Sequence, residues 1–246
     1  MEIEIYRLIL IALVIFAASY IQSVTGFGFG IFSMIFLPSL LLYTEENVLS
    51  SIISTLTSLT VAIVLLKKIS IKNLVFPLVG CLGSTFFAVS FIKAQKNETL
   101  LLLLGVALLV ASIYFYFFSD KIKIKPTWYA GLTAGILSGI LGGMFAIGGP
   151  PVVIYFIQSE KDSDHYLATT SAYFVFSGII QVAIKADAGF ITTNVVWASV
   201  VGVVCMLVGA FIGKLTRDKT DAKKIKKAVY AVMAISGIIN VVTSLI

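Results

Sequence analysis

The chain carries almost no charge where its apolar segments run. Asp, Glu, Lys and Arg make up 12% of its 246 residues, about half the share usual in a soluble domain. None of them falls deep inside a segment of membrane-spanning length; Glu45, Glu46, Asp162, Asp164 and Asp187 read as loop or near-loop residues, and Lys185 as the end of a helix. The one histidine, His165, stands by a loop among acidic neighbours and reads as solvated. The two cysteines, Cys81 and Cys205, lie in apolar segments with no companion His or Cys at ligand spacing, so they read as small hydrophobes. These absences exclude chemistry. A membrane protease, a metalloenzyme or a phosphatase needs a cluster of titratable groups, and the serines have no base in view. No metal and no cofactor is expected, and a side-chain proton relay is disfavoured because it needs intramembrane acids or histidine. No basic flank precedes the first apolar run, only Glu2 and Glu4, which points to a retained first segment rather than a cleaved signal.

What the chain does have is apolar length. Hydrophobic residues make up 59% of it and its mean hydropathy is +1.05. Six segments have single-span length: Val48–Leu66, Leu74–Ile92, Leu100–Phe118, Tyr166–Ile184, Val195–Ile212 and Ala228–Ile246. Two others are too long to cross once. Arg7–Tyr43 contains Thr25-Gly26-Phe27-Gly28-Phe29-Gly30, and Trp128–Gln158 contains Gly142-Gly143-Met144-Phe145-Ala146-Ile147-Gly148-Gly149-Pro150-Pro151. A continuous helix through the first would reach roughly 55 Å, against a hydrocarbon core about 30 Å thick. Each stretch is therefore expected to turn back at its glycines. Broken helices are tolerated at membrane depth only where they pack on protein or line a cavity, and a pair of them in matching positions points to a transporter's binding site.

Charge placement favours the turning-back arrangement. With it, 14 of the 18 Lys and Arg share one face, and only Arg7, Lys93, Lys96 and Lys185 lie on the other; with single crossings the split is 10 to 8. The positive-inside rule then places the basic loops in the cytoplasm and both termini outside. The net charge of +6 is accounted for by orientation in a lipid bilayer, not by nucleic acid. Each half holds a hairpin and three crossings, so the second half begins on the opposite side from the first. The expected fold is an all-α polytopic membrane protein of two inverted-topology repeats, residues 1–119 and 120–246, joined at the charged linker Asp120–Lys125. Asn73-Leu74-Val75 and Asn194-Val195-Val196 open matching segments that close at Lys93 and Lys214.

The glycine tips carry the functional reading. A helix starting after a break presents unpaired N–H groups and a positive dipole end, which attract an anion without a buried cation. Gly26, Gly28 and Gly30 form the first tip, with Gln22, Ser23 and Thr25 leading into it. Gly148-Gly149-Pro150-Pro151 reads as a turn opening a new helix, since proline suits a first turn, and Gly143 precedes it. Hydroxyl and amide donors follow each tip: Ser50, Ser51, Ser54, Thr55, Thr57, Ser58 and Thr60 in the first half, and Thr169, Thr170, Ser171, Ser177 and Gln181 in the second. Plainer readings compete. Gly26 and Gly30, Gly131 and Gly135, Gly135 and Gly139, and Gly209 and Gly213 are also small-xxx-small packing pairs, and packing is preferred for the last. Serine and threonine in membrane helices often bond their own i−4 carbonyl. A dinucleotide fingerprint does not apply, because the glycine spacing is wrong and no βαβ unit surrounds it.

At the two glycine motifs, with Pro38 downstream of the first, the chain resembles the TauE/SafE family of sulfite exporters and 4-toluene sulfonate uptake permeases. The resemblance covers length, segment count and duplication. It implies a prokaryotic inner-membrane permease that moves small sulfur-containing or carboxylate anions such as sulfite, sulfoacetate or related organosulfonates. A homodimer is compatible with it. Many members have glycine where Phe29 or Ala146 stands here. The expected substrate-binding set is Gln22, Ser23, Thr25, Gly26, Gly28, Gly30, Ser54, Gly143, Gly148, Gly149, Pro150, Thr170 and Gln181, working by alternating access. An anion channel built from the same parts, or a membrane assembly or scaffold subunit in which the glycines only pack, are the alternatives.

Overall fold

A computed structural model describes residues 4–118 and 124–245. The junction of the two halves at residues 119–120, with Lys121 and Lys123, lies outside the described residues. Among those described there are ten α-helices and no strand: α1 Ile5–Thr25, α2 Phe29–Phe36, α3 Tyr43–Val64, α4 Ile71–Lys93, α5 Asn97–Phe118, α6 Trp128–Phe145, α7 Gly149–Ser159, α8 Ser163–Asp187, α9 Thr193–Thr216 and α10 Ala222–Leu245. All but α2 and α7 are long and apolar enough to cross a membrane. Large apolar side chains such as Phe87, Trp197 and Phe211 stand on the outside, as lipid-facing surface requires. The two broken stretches have unequal legs, with 21 and 8 residues around the first break and 18 and 11 around the second.

Helix directions follow from the contacts. Phe16 and Tyr20 of α1 lie against Gly209 and Gly213 of α9. Glu45 and Ile53 of α3 meet Asn194 and Gly202 at the start and middle of α9. Thus α1, α3 and α9 run one way, and α2 brings the chain back between α1 and α3. In a second group Pro77 and Cys81 of α4 lie against Gly135 and Gly139 of α6, while Ser138 and Gly142 of α6 meet Tyr173 and Lys185 of α8. So α4, α6 and α8 also run together, with α7 as the return. Between the groups the sense reverses: Ser51 meets Lys185 and Thr55 meets Gly178.

Glycine allows these close approaches. A Cβ at Gly135 would fall 2.0 Å from Pro77 O, and one at Gly209 would fall 2.4 Å from Phe16 O. In lipid there is no hydrophobic force pressing helices together, so such backbone contact supplies the dispersion energy. Side chains start several helices. Thr127 and Thr192 accept N–H groups in the first turns of α6 and α9. Asp162 accepts those of Asp164 and His165. The His165 N–H and then its ring hold the Asp162 carboxyl down to about 2.

Two sequence expectations fail on helix length. α3 begins at Tyr43, five residues before the apolar run at Val48, so Glu45, Glu46 and Asn47 enter the helix and are buried. α8 continues to Asp187 and carries Lys185 inward, where it is fully buried. Each helix extends past its apolar run because its polar residues are covered by neighbours, not by lipid.

One departure from even packing separates the halves. α10 packs on α2 and on α5, whereas α5 makes no comparably extensive contact with α7. An apolar groove of about 620 Å³ separates α5 from α6 and α7.

Candidate functional site

The two chain breaks meet. The first is a left-handed turn, with Gly26 at φ 82° and Gly28 at φ 105°, and Thr25 clamps it by donating its hydroxyl to Ile21 O and Phe27 O. A Cβ on Gly30 would sit 1.7 Å from Ala146 O, and one on Gly149 would lie 3.4 Å from the Phe27 side chain. The second break turns at Ala146, φ 54°, the one non-glycine with positive φ among the described residues. Ser138 Oγ donates to Gly148 O and takes the Tyr173 hydroxyl at 2.9 Å, bracing that turn. Tyr43 Oη and Asn47 Nδ2 donate to Met144 O from α3.

Ala146 departs from the residue that such a turn favours. A left-handed conformation costs an L-residue about 1–2 kcal/mol, partly offset by the extra unfolded-state freedom of glycine. Ala146→Gly is expected to stabilise the protein by about 0.5–1 kcal/mol, read as a higher Tm in detergent.

A narrow cavity of about 40 Å³ lies where the breaks meet, between α3 and α8. Of the residues expected from sequence, Gln22, Gly28, Gly30, Ser54, Gly148, Gly149, Pro150 and Gln181 line it. The other five do not. Gly26 turns against Leu167 and Tyr166, and Gly143 packs on Ala88 and Thr85. Thr25 is committed to the turn, Ser23 lies by Gly213 in a separate groove, and Thr170 is buried away from the cavity. Ser50, Ser51, Thr55, Ser138, Ser177, Phe27 and Phe174 line it in addition.

The donors are not equivalent. In α2 the first N–H with a helical acceptor is that of Phe32, on Gly28 O, so those of Phe29, Gly30 and Ile31 lie ahead of it at the cavity. In α7 the second and third residues are Pro150 and Pro151, which have no N–H, so the first turn offers only Gly149. Most of the backbone donors at the cavity therefore come from α2. Gln22 is engaged within the wall. Its Nε2 donates to Ser58 Oγ at 2.6 Å and Ser54 O at 3.2 Å, and its Oε1 accepts from Ser54 Oγ at 3.1 Å.

The largest omission from the sequence reading is Lys185. Its Nζ donates to Ser51 Oγ at 2.7 Å, Gly142 O at 3.2 Å and Gln181 Oε1 at 3.4 Å, and all three acceptor residues line the cavity. No carboxylate pairs with it among the described residues. It therefore puts a buried amine, held by three acceptors, behind the wall at the C-terminal end of α6. Helical spacing was a usable signal, because Ser177, Gln181 and Lys185 lie four apart on one face.

The family profile of the sulfite exporter TauE/SafE matches residues 11–239. The chain belongs to the TauE/SafE family. It is thus a membrane transporter of the sulfite exporter TauE/SafE family and not an enzyme. A TauE/SafE relative from Cupriavidus necator, described as a probable sulfite/organosulfonate exporter TauE, is 23% identical over 209 residues, spanning 80% of this chain and 79% of its own length. No solved structure matches the chain. For this TauE/SafE member, the matched segment takes in both breaks and every residue of the cavity.

Proposed function

We propose that this transporter moves small sulfur oxyanions or organosulfonates across a prokaryotic inner membrane by alternating access, with the anion held between the two chain breaks. The observation that carries the reading is the cavity itself. Amide N–H groups of α2 and the hydroxyls of Ser50 and Ser177 line one narrow cavity, with Lys185 behind its wall. A sulfonate has three acceptor oxygens and one charge, which suits many neutral donors with one cation set back from contact. A cation in direct contact would hold the anion too tightly to release it.

Ordinary ligand pockets run to roughly 300–1,000 Å³, so the cavity of about 40 Å³ requires its walls to part before a sulfonate enters. The opposed directions of the two helix groups support reading the halves as inverted repeats, with both termini outside. On that reading the uneven packing has a meaning: exchanging the halves' conformations would bring α5 onto α7 and release α10 from α2. Such an exchange is one account of alternating access. Export is the direction carried in the relative's description, and it is the direction proposed here.

The test is flux in liposomes with sulfite and with methanesulfonate. Saturating uptake with counterflow is expected; single-channel currents would replace the transporter by a channel. Gly149→Ala is the informative variant, because its methyl meets Phe27 and Phe174 at an ordinary 3.4 Å yet projects into the cavity. It is expected to fold normally and to lose about tenfold in flux, the equivalent of roughly 1.4 kcal/mol. Undiminished flux would remove the breaks from the substrate's path.

A further inference from the structure

Two adjacent acids on α3 have opposite surroundings. Glu45 is buried and fully served: its Oε1 takes the Thr192 hydroxyl at 2.6 Å and the Asn194 amide at 3.2 Å, and its Oε2 takes the Leu42 N–H at 3.3 Å. Glu46 is 0% exposed, and neither of its oxygens has a hydrogen-bond partner. The Oδ1 of the next residue, Asn47, is also buried and unpartnered. An ionised carboxylate with neither donor nor counter-charge is among the costliest things to bury, so only the neutral acid suits this enclosure.

No group on the neighbouring elements changes that. On α3 itself, Tyr43 gives its hydroxyl to Met144 O. On α8, Lys185 is committed to Ser51, Gly142 and Gln181. α2 has no titratable side chain. The end of α9 that faces α3 offers Thr192 and Asn194, both used by Glu45. Glu98, in the first turn of α5, is exposed. The tip of α6 carries no titratable side chain.

The position is as informative as the burial. Glu46 sits in the same turn as Tyr43 and Asn47, the two side chains that hold Met144 O and so the second chain break. A movement that frees this break unpacks the first turn of α3 and admits water to Glu46. A site whose proton affinity differs between two conformations couples the proton to the change between them.

We propose that Glu46 is the proton-binding site that couples anion transport to the proton gradient. It carries a proton while the second break is docked on α3, and gives it up to water when that contact opens. One proton is taken from one face and delivered to the other, with no covalent step. The coupling rests on the anion-transport reading; the protonation of Glu46 does not.

The experiment therefore has two arms. The first is the infrared spectrum of the purified full-length protein at neutral pH. A carbonyl band of a buried protonated carboxylic acid is expected, and it should be missing from Glu46→Gln and from Glu46→Met. No band assignable to Glu46 would overturn the proposal. The second is methanesulfonate transport in liposomes, chosen because that anion does not itself titrate near neutrality. In the wild type an imposed pH gradient should drive accumulation that approaches the imposed proton ratio, and a sodium gradient should not. Both neutral variants should keep methanesulfonate exchange and lose gradient-driven accumulation. Accumulation that persists in either variant, or that follows sodium, would overturn the coupling. If the wild type moves neither methanesulfonate nor sulfite, the transport reading falls, and the infrared band still decides whether Glu46 holds a proton.

Discussion

Lys185→Met is expected to lower sulfite and methanesulfonate flux by about ten- to a hundredfold in protein that still folds. Methionine fills nearly the same volume and removes the charge and all three donors. The loss has two parts. Ser51, Gly142 and Gln181 lose their common partner, and the anion loses the one nearby amine able to carry a proton. Hydrogen bonds to charged groups contribute about 1.5–3 kcal/mol each, and each 1.4 kcal/mol is about tenfold in affinity. Because lysine has no ion-pair partner in the cavity wall, its removal strands no carboxylate, which is why folding survives. Lys185→Arg offers a control: the charge is kept, but the planar fork does not fit three acceptors arranged around one nitrogen. Flux with the methionine variant equal to wild type would show that the charge does not reach the substrate.

Gly30→Ala is expected to be the most damaging single methyl in the protein. Its Cβ would stand 1.7 Å from the Ala146 carbonyl oxygen and 2.8 Å from the carbonyl carbon. Both are backbone, inside a braced turn, so neither can rotate aside. Overpacking in a well-fitted interior costs about 1–3 kcal/mol and sometimes more. Here the upper end is expected, at least about 3 kcal/mol, with flux lost because the breaks are pushed apart. Thermal unfolding and counterflow measured on the same preparations would check it. Gly149→Ala supplies the contrast, since a methyl there meets only ordinary contacts. If the two variants were equally stable, the breaks would not touch as described.

Much of this arrangement was readable from the residues. Length alone forced the breaks at Gly26–Gly30 and Gly148–Gly149, because an unbroken helix would overshoot the bilayer. The six single-span segments fall within α3, α4, α5, α8, α9 and α10 to within a few residues, since their apolar runs are what lipid solvates. Where the reading failed, it failed on residues whose surroundings are protein. Hydropathy assigns a charged residue to the nearest loop, and so Glu46 and Lys185 were placed at segment ends; only tertiary cover tells a buried end from an exposed one. The same limit explains Ser23, Thr25 and Thr170. Ser23 and Thr25 are near a tip in sequence and Thr170 is on the helix that follows one, but which face a side chain takes depends on which helix packs there. The unequal donors of α2 and α7 were already present in Pro150 and Pro151, whose missing N–H groups could have been counted from the sequence.

The absence of a side chain at Gly30 lets the Ala146 carbonyl occupy the space a methyl would fill, so the two bends are interleaved like hooked fingers. Neither leaf can swing out alone without dragging or unhooking the other. On the proposed alternating-access mechanism, the gate is a single latch shared by both halves of the chain, which is a reason for it to snap between states instead of drifting ajar and leaking.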